Sequence, residues 1–295
     1  MADPRRPLAV LVNPAAAGGR ALEVLPAVRA ELERLGTEYR VVETDSPSHA
    51  QSLARAAAGA GEKVASLGGD GLVSLVAAEL CGTGTPLAVL PGGRGNDFAR
   101  VLGIPRDPAE AVRVAVDGAE RMVDVAEANG RTFVGIASLG IDSDANRIAN
   151  EAKLVKGNLV YLYAAVRALI EWKGASFEVI VDGERHSFRG CSIAVANSKA
   201  YGGGMYAVPH AQLDDGLLDV LITTEAPKPT LLRLTLRSFT GSHVTHPALH
   251  FLRGREVEVR ADRPFDVYAD GDPIAELPVR IRVAERVLRV MVPAS

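Results

Sequence analysis

The first 120 residues alternate short apolar runs with helical patterns, and this alternation constrains the fold more than any other feature. A helix-periodic stretch over residues 20–35 follows the first apolar run, and Thr44-Asp45-Ser46-Pro47 supplies helix-start residues before a second at 49–58. Four runs are strand-like, and they lie at Leu8–Val12, Tyr39–Glu43, 64–67 and 87–90. Strands joined by helices at this spacing predict an α/β, doubly wound parallel sheet.

The alternation of strand-like and helical patterns ends near residue 122. Asn129-Gly130 and Asp182-Gly183 each separate two strand-like runs, which is a hairpin pattern. Helical stretches are expected at 143–172 and 230–239, and further strands at 217–223, 256–261, 265–269, 279–283 and 287–292. We therefore predict an α/β domain over residues 1–122 and a mainly antiparallel β-sandwich domain over 123–295.

Charge and cysteine content exclude several classes of protein. The formal net charge is −3, so bulk charge gives no reason to expect a nucleic-acid partner. Two cysteines without paired spacing argue against a disulfide framework or a cysteine zinc site, which fits a reducing, cytoplasmic compartment. The first residues are too weakly apolar for a signal peptide, and Arg167 interrupts the longest apolar stretch.

Three strand-to-helix turns are rich in small residues, at 13–20, 68–71 and 91–97. In a parallel sheet they lie at the carboxyl edge, where such folds bind ligands. Glycine lets the backbone approach a phosphate, and the helix that follows directs N–H groups at it. One such turn is weak support, but three on one edge favour a phosphate site.

Asp70 and Arg94 carry opposite charges within these turns. A carboxylate beside a phosphate cradle implies a bridging Mg²⁺, although Asp70 would also suit the cap of a helix beginning near Leu72. The Arg94 guanidinium can bind a phosphate through two hydrogen bonds, or it can be a solvated surface residue.

Two acidic clusters lie in the second part of the chain. Asp214, Asp215 and Asp219 surround Gly216, and such a cluster either binds a divalent cation or is a solvated turn. Asp270-Gly271-Asp272-Pro273 is by itself an ordinary β-turn sequence.

Together these motifs resemble the diacylglycerol kinase family, which includes bacterial lipid kinases and the sphingosine and ceramide kinases. The resemblance runs from about residue 8 to 292, with the motifs in the family's order. It is carried by Asn13-Pro14, Gly68-Gly69-Asp70-Gly71, Pro91-Gly92-Gly93-Arg94-Gly95-Asn96-Asp97-Phe98-Ala99-Arg100, Asn197, Tyr201-Gly202-Gly203-Gly204-Met205, Asp214-Asp215-Gly216-Leu217-Leu218-Asp219 and Asp270-Gly271-Asp272.

The resemblance implies an ATP- and Mg²⁺-dependent lipid kinase, most simply one that converts diacylglycerol to phosphatidic acid. Asp272 is then the base that takes the proton from the lipid hydroxyl, and Asp270 orients it or helps to bind metal. A structural magnesium is implied at the Asp215 side chain and the carbonyls of Gln212 and Leu217, with Asp70 as a further metal ligand. The expected nucleotide contacts are Asn13, Thr44, Gly68, Gly69, Asp70, Gly71, Gly93, Arg94, Gly95, Asn96 and Asp97.

The sequence departs from the family pattern at the two phosphate loops. Family members usually continue the first loop with Thr and Asn-Glu, where Leu72, Ser74 and Leu75 stand here, and the second loop usually has Thr at the position of Arg94. These departures leave open a nucleotide- and lipid-binding pseudokinase. A kinase for a sphingoid lipid also stays open, and so does a dinucleotide kinase, because that group shares the Gly-Gly-Asp-Gly loop.

Two further patterns are given less weight. His243, His246 and His250 have helical spacing, but Pro247 interrupts it, so zinc is not expected. The basic, amphipathic run 231–237 is more typical of a half-buried helix with solvated arginines than of a segment that touches anionic lipid. We expect a lipid substrate reached at the membrane surface by transient association, and a homodimer is allowed.

Overall fold

A computed structural model describes residues 6–151 and 159–294. The described chain divides into two compact units: residues up to Val125 together with those from Glu285 onward, and Ala126–Ala284. The predicted 123–295 domain therefore needs a correction, because the last residues belong to the first unit. Gly82 N donates to Val287 O at 2.7 Å, and Val290 pairs with Leu87.

The first unit is built on parallel strands, as predicted. β1 pairs with both β2 and β3, and β3 pairs with β4. All five residues of β1 are buried, as expected for a parallel strand covered on both faces by helices. The elements are β1 (Leu8–Val12), α1 (Arg20–Arg34), β2 (Tyr39–Glu43), α2 (Pro47–Gly59), β3 (Lys63–Gly68), α3 (Asp70–Leu80), β4 (Leu87–Pro91), α4 (Asp97–Val101) and α5 (Pro108–Asp117).

The second unit is a β-sandwich of antiparallel strands with three helices in its described part. Its elements, together with two strands that continue into the first unit, are β5 (Ala119–Ala128), β6 (Arg131–Phe133), β7 (Ile136–Gly140), α6 (Ile141–Glu151), α7 (Leu159–Glu171), β8 (Ala175–Val181), β9 (Glu184–Ala196), β10 (Leu218–Thr224), α8 (Lys228–Ser238), β11 (Leu249–Gly254), β12 (Glu256–Ala261), β13 (Asp266–Ala269), β14 (Asp272–Glu276) and β15 (Val279–Val292).

The long strand β9 pairs with three other strands of the second unit. Its first half pairs with β8 through a hairpin at Asp182-Gly183, and its second half lies between β7 and β10. Both predicted hairpins are present, because Ala128 also pairs with Arg131 across Asn129-Gly130. Phe177, Val195 and Val259 are among the fully buried side chains of the main core.

Three strands differ from the sequence prediction. The expected strands at 279–283 and 287–292 form one strand, β15, and neither β11 nor β14 was predicted. The middle of the helix expected at 143–172 lies outside the described residues. Within the described ranges no helix is long and apolar enough to cross a membrane, and both cysteines are free thiols.

Candidate active site

Two of the glycine-rich turns of the first unit pack directly against each other. A Cβ atom placed on Gly93 would lie 2.3 Å from the Cα of Gly69, so this approach requires glycine at position 93. The Asn96 side chain closes the second turn, since its Oδ1 accepts from Gly93 N at 2.8 Å and its Nδ2 donates to Gly93 O at 2.9 Å. The structure thus brings the predicted Gly68–Gly71 and Gly93–Asp97 contacts together.

Asp70 fastens these two turns to each other. Its Oδ1 accepts the Phe98 N–H at 3.0 Å, at the start of α4, while Asp70 itself is the first residue of α3. The expectation that Asp70 caps a helix beginning near Leu72 is therefore wrong in detail, because the carboxylate caps a different helix. Burial raises the pKa of Asp70 above its ordinary value, against the opposing effect of backbone N–H groups from Phe98, Asp97, Asp70 and Asn96.

The helices that follow the first two turns begin in a way that suits an anion. Gly19 precedes α1 and Gly69 precedes α3, and neither helix start has a side-chain cap hydrogen bond. Unpaired N–H groups at a helix start are the usual protein ligands for phosphate. The backbone of this unit therefore fits a nucleotide phosphate at the sheet edge.

The remaining predicted nucleotide contacts have different surroundings. Asn13 Oδ1 accepts the Ala15 N–H at 3.0 Å within its own turn, and Thr44 is buried with Oγ1 3.2 Å from Val12 O. Asp97 is buried with an oxygen 3.7 Å from Arg100 Nε. Arg94 is exposed, and within residues 6–151 and 159–294 it forms no ion pair.

Asp270 joins the turn between β13 and β14 to the link between β6 and β7. Its Oδ2 accepts the N–H of Val134 at 2.9 Å and of Gly135 at 3.3 Å, and a Cβ on Gly135 would lie 2.1 Å from Asp270 Oδ1. Asn197 reinforces the same segment by donating from Nδ2 to Val134 O at 3.0 Å. The Asp270 carboxylate is therefore oriented rigidly, which fits the positioning role predicted for it.

Asp272 begins β14 and is exposed as a residue. Partial desolvation nevertheless raises the pKa of its carboxyl group, and the charge of Arg131 opposes this rise. Arg131 is fixed in place by donating to Pro273 O at 3.1 Å. An accessible carboxylate with a raised pKa suits a general base, and the assignment of Asp272 stays a prediction.

The acidic turn at Asp215 is compensated by an arginine. Asp215 Oδ1 accepts the Leu217 N–H at 3.1 Å, and its Oδ2 lies 3.2 Å from Arg253, which also contacts both oxygens of Asp219. A cation bound by Asp215, Gln212 and Leu217 would have to share this carboxylate with Arg253. In the described part of the chain no group of three His, Cys, Asp or Glu side chains could hold a metal, and the magnesium site remains a prediction.

The second unit contains a cavity with a volume of about 120 Å³, which was not predicted from the sequence. Mostly apolar side chains from α6, α7, α8, β9 and β10 line it, including Leu169, Leu221, Leu231 and Leu234. Among the lining residues that the structure describes, one is acidic, Asp142 at the start of α6. Burial raises the pKa of Asp142 to about 6, although hydrogen bonds from Ser192 and Tyr201 lower it.

The position of Asp142 in the sequence gives one indication that it could be a functional residue. It follows Gly140 and Ile141 at the end of a strand-like run, which is where α/β and sandwich folds often place functional polar groups. Only the packing of α6 against β9, distant in sequence, shows that this carboxylate meets an apolar cavity.

Sequence models of two domain families match this chain in the order of the two units. The diacylglycerol kinase catalytic domain matches residues 7–128, and the YegS C-terminal NAD kinase beta sandwich-like domain matches residues 135–292. A diacylglycerol kinase of Mycobacterium tuberculosis is 32% identical over 96% of this chain and 94% of its own length. The chain therefore belongs to the diacylglycerol kinase family of lipid kinases.

One further relative agrees with this assignment, and a solved structure shares the fold. A Pseudomonas aeruginosa protein described as "Probable lipid kinase YegS-like" is 34% identical over 92% of this chain and 90% of its own length. The crystal structure of a diacylglycerol kinase from Bacillus anthracis superposes with a TM-score of 0.78, covers 98% of this chain and 97% of its own, and is 21% identical. That superposition confirms the fold predicted from the sequence.

Proposed function

We propose that this protein is an ATP-dependent lipid kinase that phosphorylates the free hydroxyl of diacylglycerol and forms phosphatidic acid. The observation that carries the proposal is the apolar cavity of the second unit, in which Asp142 is the only acidic residue among the described lining residues. A dinucleotide has no apolar chain to place there, whereas an acylated glycerol combines apolar chains with a polar hydroxyl.

The first unit supports nucleotide binding through its glycine turns. The Gly69 and Gly93 turns pack against each other, the start of α3 has no side-chain cap, and exposed Arg94 adds a guanidinium to the second turn. Bound Mg²⁺ would supply neutralisation of the phosphate charge. Asp70 is the carboxylate of these turns best placed to hold such an ion while it also fastens α4.

The second unit supplies the acceptor side of the reaction. In the transfer, the lipid oxygen forms a bond to the γ-phosphorus, the bond from that phosphorus to the β-γ bridging oxygen breaks, and ADP leaves. The hydroxyl proton passes to the carboxylate of Asp272. Asp270, held by the Val134 and Gly135 amides, positions the turn that carries this base.

Radiolabel transfer with purified full-length protein tests the proposal. The protein is incubated with γ-labelled ATP, Mg²⁺ and mixed micelles that contain diacylglycerol, monoacylglycerol, ceramide or sphingosine, and a parallel reaction contains a dinucleotide. We expect labelled phosphatidic acid as the main product. Label in the dinucleotide or only in a sphingoid lipid would contradict the proposed substrate, and binding of ATP without transfer to any acceptor would favour the pseudokinase.

A further inference from the structure

The exposed apolar side chains of the second unit are concentrated on two neighbouring helices. Of the six large hydrophobic residues exposed within the described residues, four lie on or directly after α7 and α8. Ile170 is 65% exposed and Leu236 is 50% exposed, and the other two are Tyr163 and Phe239. Such a concentration marks an interaction surface, since single exposed apolar residues are normally scattered.

Some residues of α8 line the cavity, and others are exposed to solvent. Leu231 and Leu234 are buried and line the cavity described above. Leu236 in the last turn of α8 and Phe239 directly after the helix are exposed, whereas Leu232 also lines the cavity. The same helix therefore forms a wall of the cavity and, at its end, exposes two large apolar side chains.

The charges of α8 all have one sign. The sequence of α8, KPTLLRLTLRS, contains three basic residues and no acidic residue. Arg233 is exposed and forms no ion pair with any residue of the described ranges, whereas Arg237 is hydrogen-bonded to Ser242. Lys228 Nζ donates to Ile170 O at 2.6 Å, which places another cation at the junction of the two helices.

The acidic residues that lie nearest in sequence to the exposed parts of α7 and α8 are already paired with arginines. Glu171 at the end of α7 lies 3.2 Å from Arg167, and Glu225 before α8 lies 3.1 Å from Arg189. The surface therefore keeps an excess of positive charge beside its apolar side chains. A basic helix with exposed leucine and phenylalanine is typical of segments that lie in the interface of an anionic bilayer.

We propose that Tyr163, Ile170, Arg233, Leu236 and Phe239 form a bilayer-docking face that seats the protein on an anionic membrane. The wall of the cavity then lies directly under the surface that meets the lipid, so a substrate molecule can pass from the bilayer without crossing water. The inference rests on the proposed lipid-kinase function only for the nature of that substrate. A second copy of this chain is a poorer occupant, because two such faces would bring like charges together.

Vesicle sedimentation of the full-length protein, without nucleotide, tests the docking face directly. Wild type is compared with Leu236→Ser and Arg233→Glu, on vesicles of phosphatidylcholine alone and of phosphatidylcholine mixed with phosphatidylglycerol. Burying half of a leucine side chain, or attracting one cation to an anionic surface, changes partitioning by roughly five- to tenfold. We expect each substitution to weaken binding to the anionic vesicles by about that factor.

Matched substitutions outside the face provide the control. Leu22 is exposed on α1 and Arg106 is exposed before α5, so Leu22→Ser and Arg106→Glu remove the same groups elsewhere. These variants should sediment like wild type. Equal melting temperatures show that all four variants are folded.

An activity measurement separates docking from catalysis. The docking variants should phosphorylate diacylglycerol in vesicles more slowly than wild type, and water-dispersed short-chain diacylglycerol at the wild-type rate. If the wild-type protein phosphorylates no lipid but the docking variants lose vesicle binding, the proposed function is overturned and the docking face is supported. Equal binding by all variants, binding that ignores phosphatidylglycerol, or a dimer that only Leu236→Ser dissociates would overturn the docking face.

Discussion

Asp142 is predicted to cost the protein stability at neutral pH. Burial raises its pKa from 3.8 to about 6, so the folded state holds the proton more tightly than the unfolded chain does. Its favourable contribution is therefore complete when the carboxyl group is protonated, and it is lost as the pH rises from about 4 to about 6. Above that range the cost no longer changes with pH.

The size of this cost follows from the shift. A difference of about two pKa units corresponds to about 3 kcal/mol, and the partial exposure of Asp142 reduces the expected value to about 1–2 kcal/mol. Asp142→Asn keeps the shape and can still accept from Ser192 or Tyr201, but it carries no charge. We expect the variant to be more stable than wild type by about 1–2 kcal/mol at about pH 7.5, and by about half as much at about pH 5.

Urea unfolding followed by fluorescence measures this difference. Trp172 is the only tryptophan of the chain, and it packs against Phe265 in the same unit as Asp142. Asp144→Asn is the matched control, because Asp144 lies on the same helix but is solvent-accessible beside Arg147. A stability difference for Asp142→Asn that is the same at both pH values, or a variant less stable than wild type at pH 7.5, would refute the reasoning.

Three other residues make separate predictions. Asp70→Asn should abolish transfer. It should also lower the free energy of unfolding of the nucleotide-free protein by about 1–3 kcal/mol, and with it the melting temperature, because an amide cannot accept all the N–H groups at the start of α4. An unchanged melting temperature would mean that Asp70 acts only as a metal ligand. Asp215→Ala should lower the melting temperature because Arg253 loses a partner at 3.2 Å, and if the predicted Mg²⁺ binds there, a chelator will lower the melting temperature of wild type but not of the variant. Asp272→Asn should reduce kcat by about a hundredfold or more while ATP still binds. Because the pKa of Asp272 is raised above 3.8, wild-type kcat should fall as the pH decreases, with a midpoint above pH 3.8. Turnover of the variant at the wild-type rate would show that another residue is the base.

The fold was largely predictable because its local signals agree with its tertiary structure. The turns Asn129-Gly130 and Asp182-Gly183 have positive φ at both residues, so their sequences and their conformations specify the same hairpins. The strand β14 was missed because Pro273 argues against a strand, yet β14 is an edge strand, where proline is tolerated. The break predicted within β15 coincides with Arg286, whose φ is 45° and whose N–H donates to Asp124 at 2.7 Å.

The candidate site was predictable only where residues close in sequence form it. The glycine turns could be found from their spacing, but the contact between Asp70 and Phe98 joins two different loops. Asp270 receives N–H groups from residues more than a hundred positions earlier, and the cavity needs helices and strands from most of the second unit. These contacts depend on tertiary packing that no local pattern encodes.

The departures from the family pattern in the first loop now have a physical meaning. Leu72 is buried, and a Cβ on Gly68 would come within 2.9 Å of its Cδ2, so Leu72 packs under the turn where relatives offer a hydroxyl. A buried leucine cannot donate to a phosphate, and the lost contact has to be replaced if this chain is to bind ATP as its relatives do. Arg94 is the exposed cation of the facing turn, and a charge-assisted hydrogen bond to phosphate is worth about 1.5–3 kcal/mol. That value is enough to offset one neutral hydroxyl contact, so the choice between an active kinase and a pseudokinase depends on whether Arg94 reaches the nucleotide.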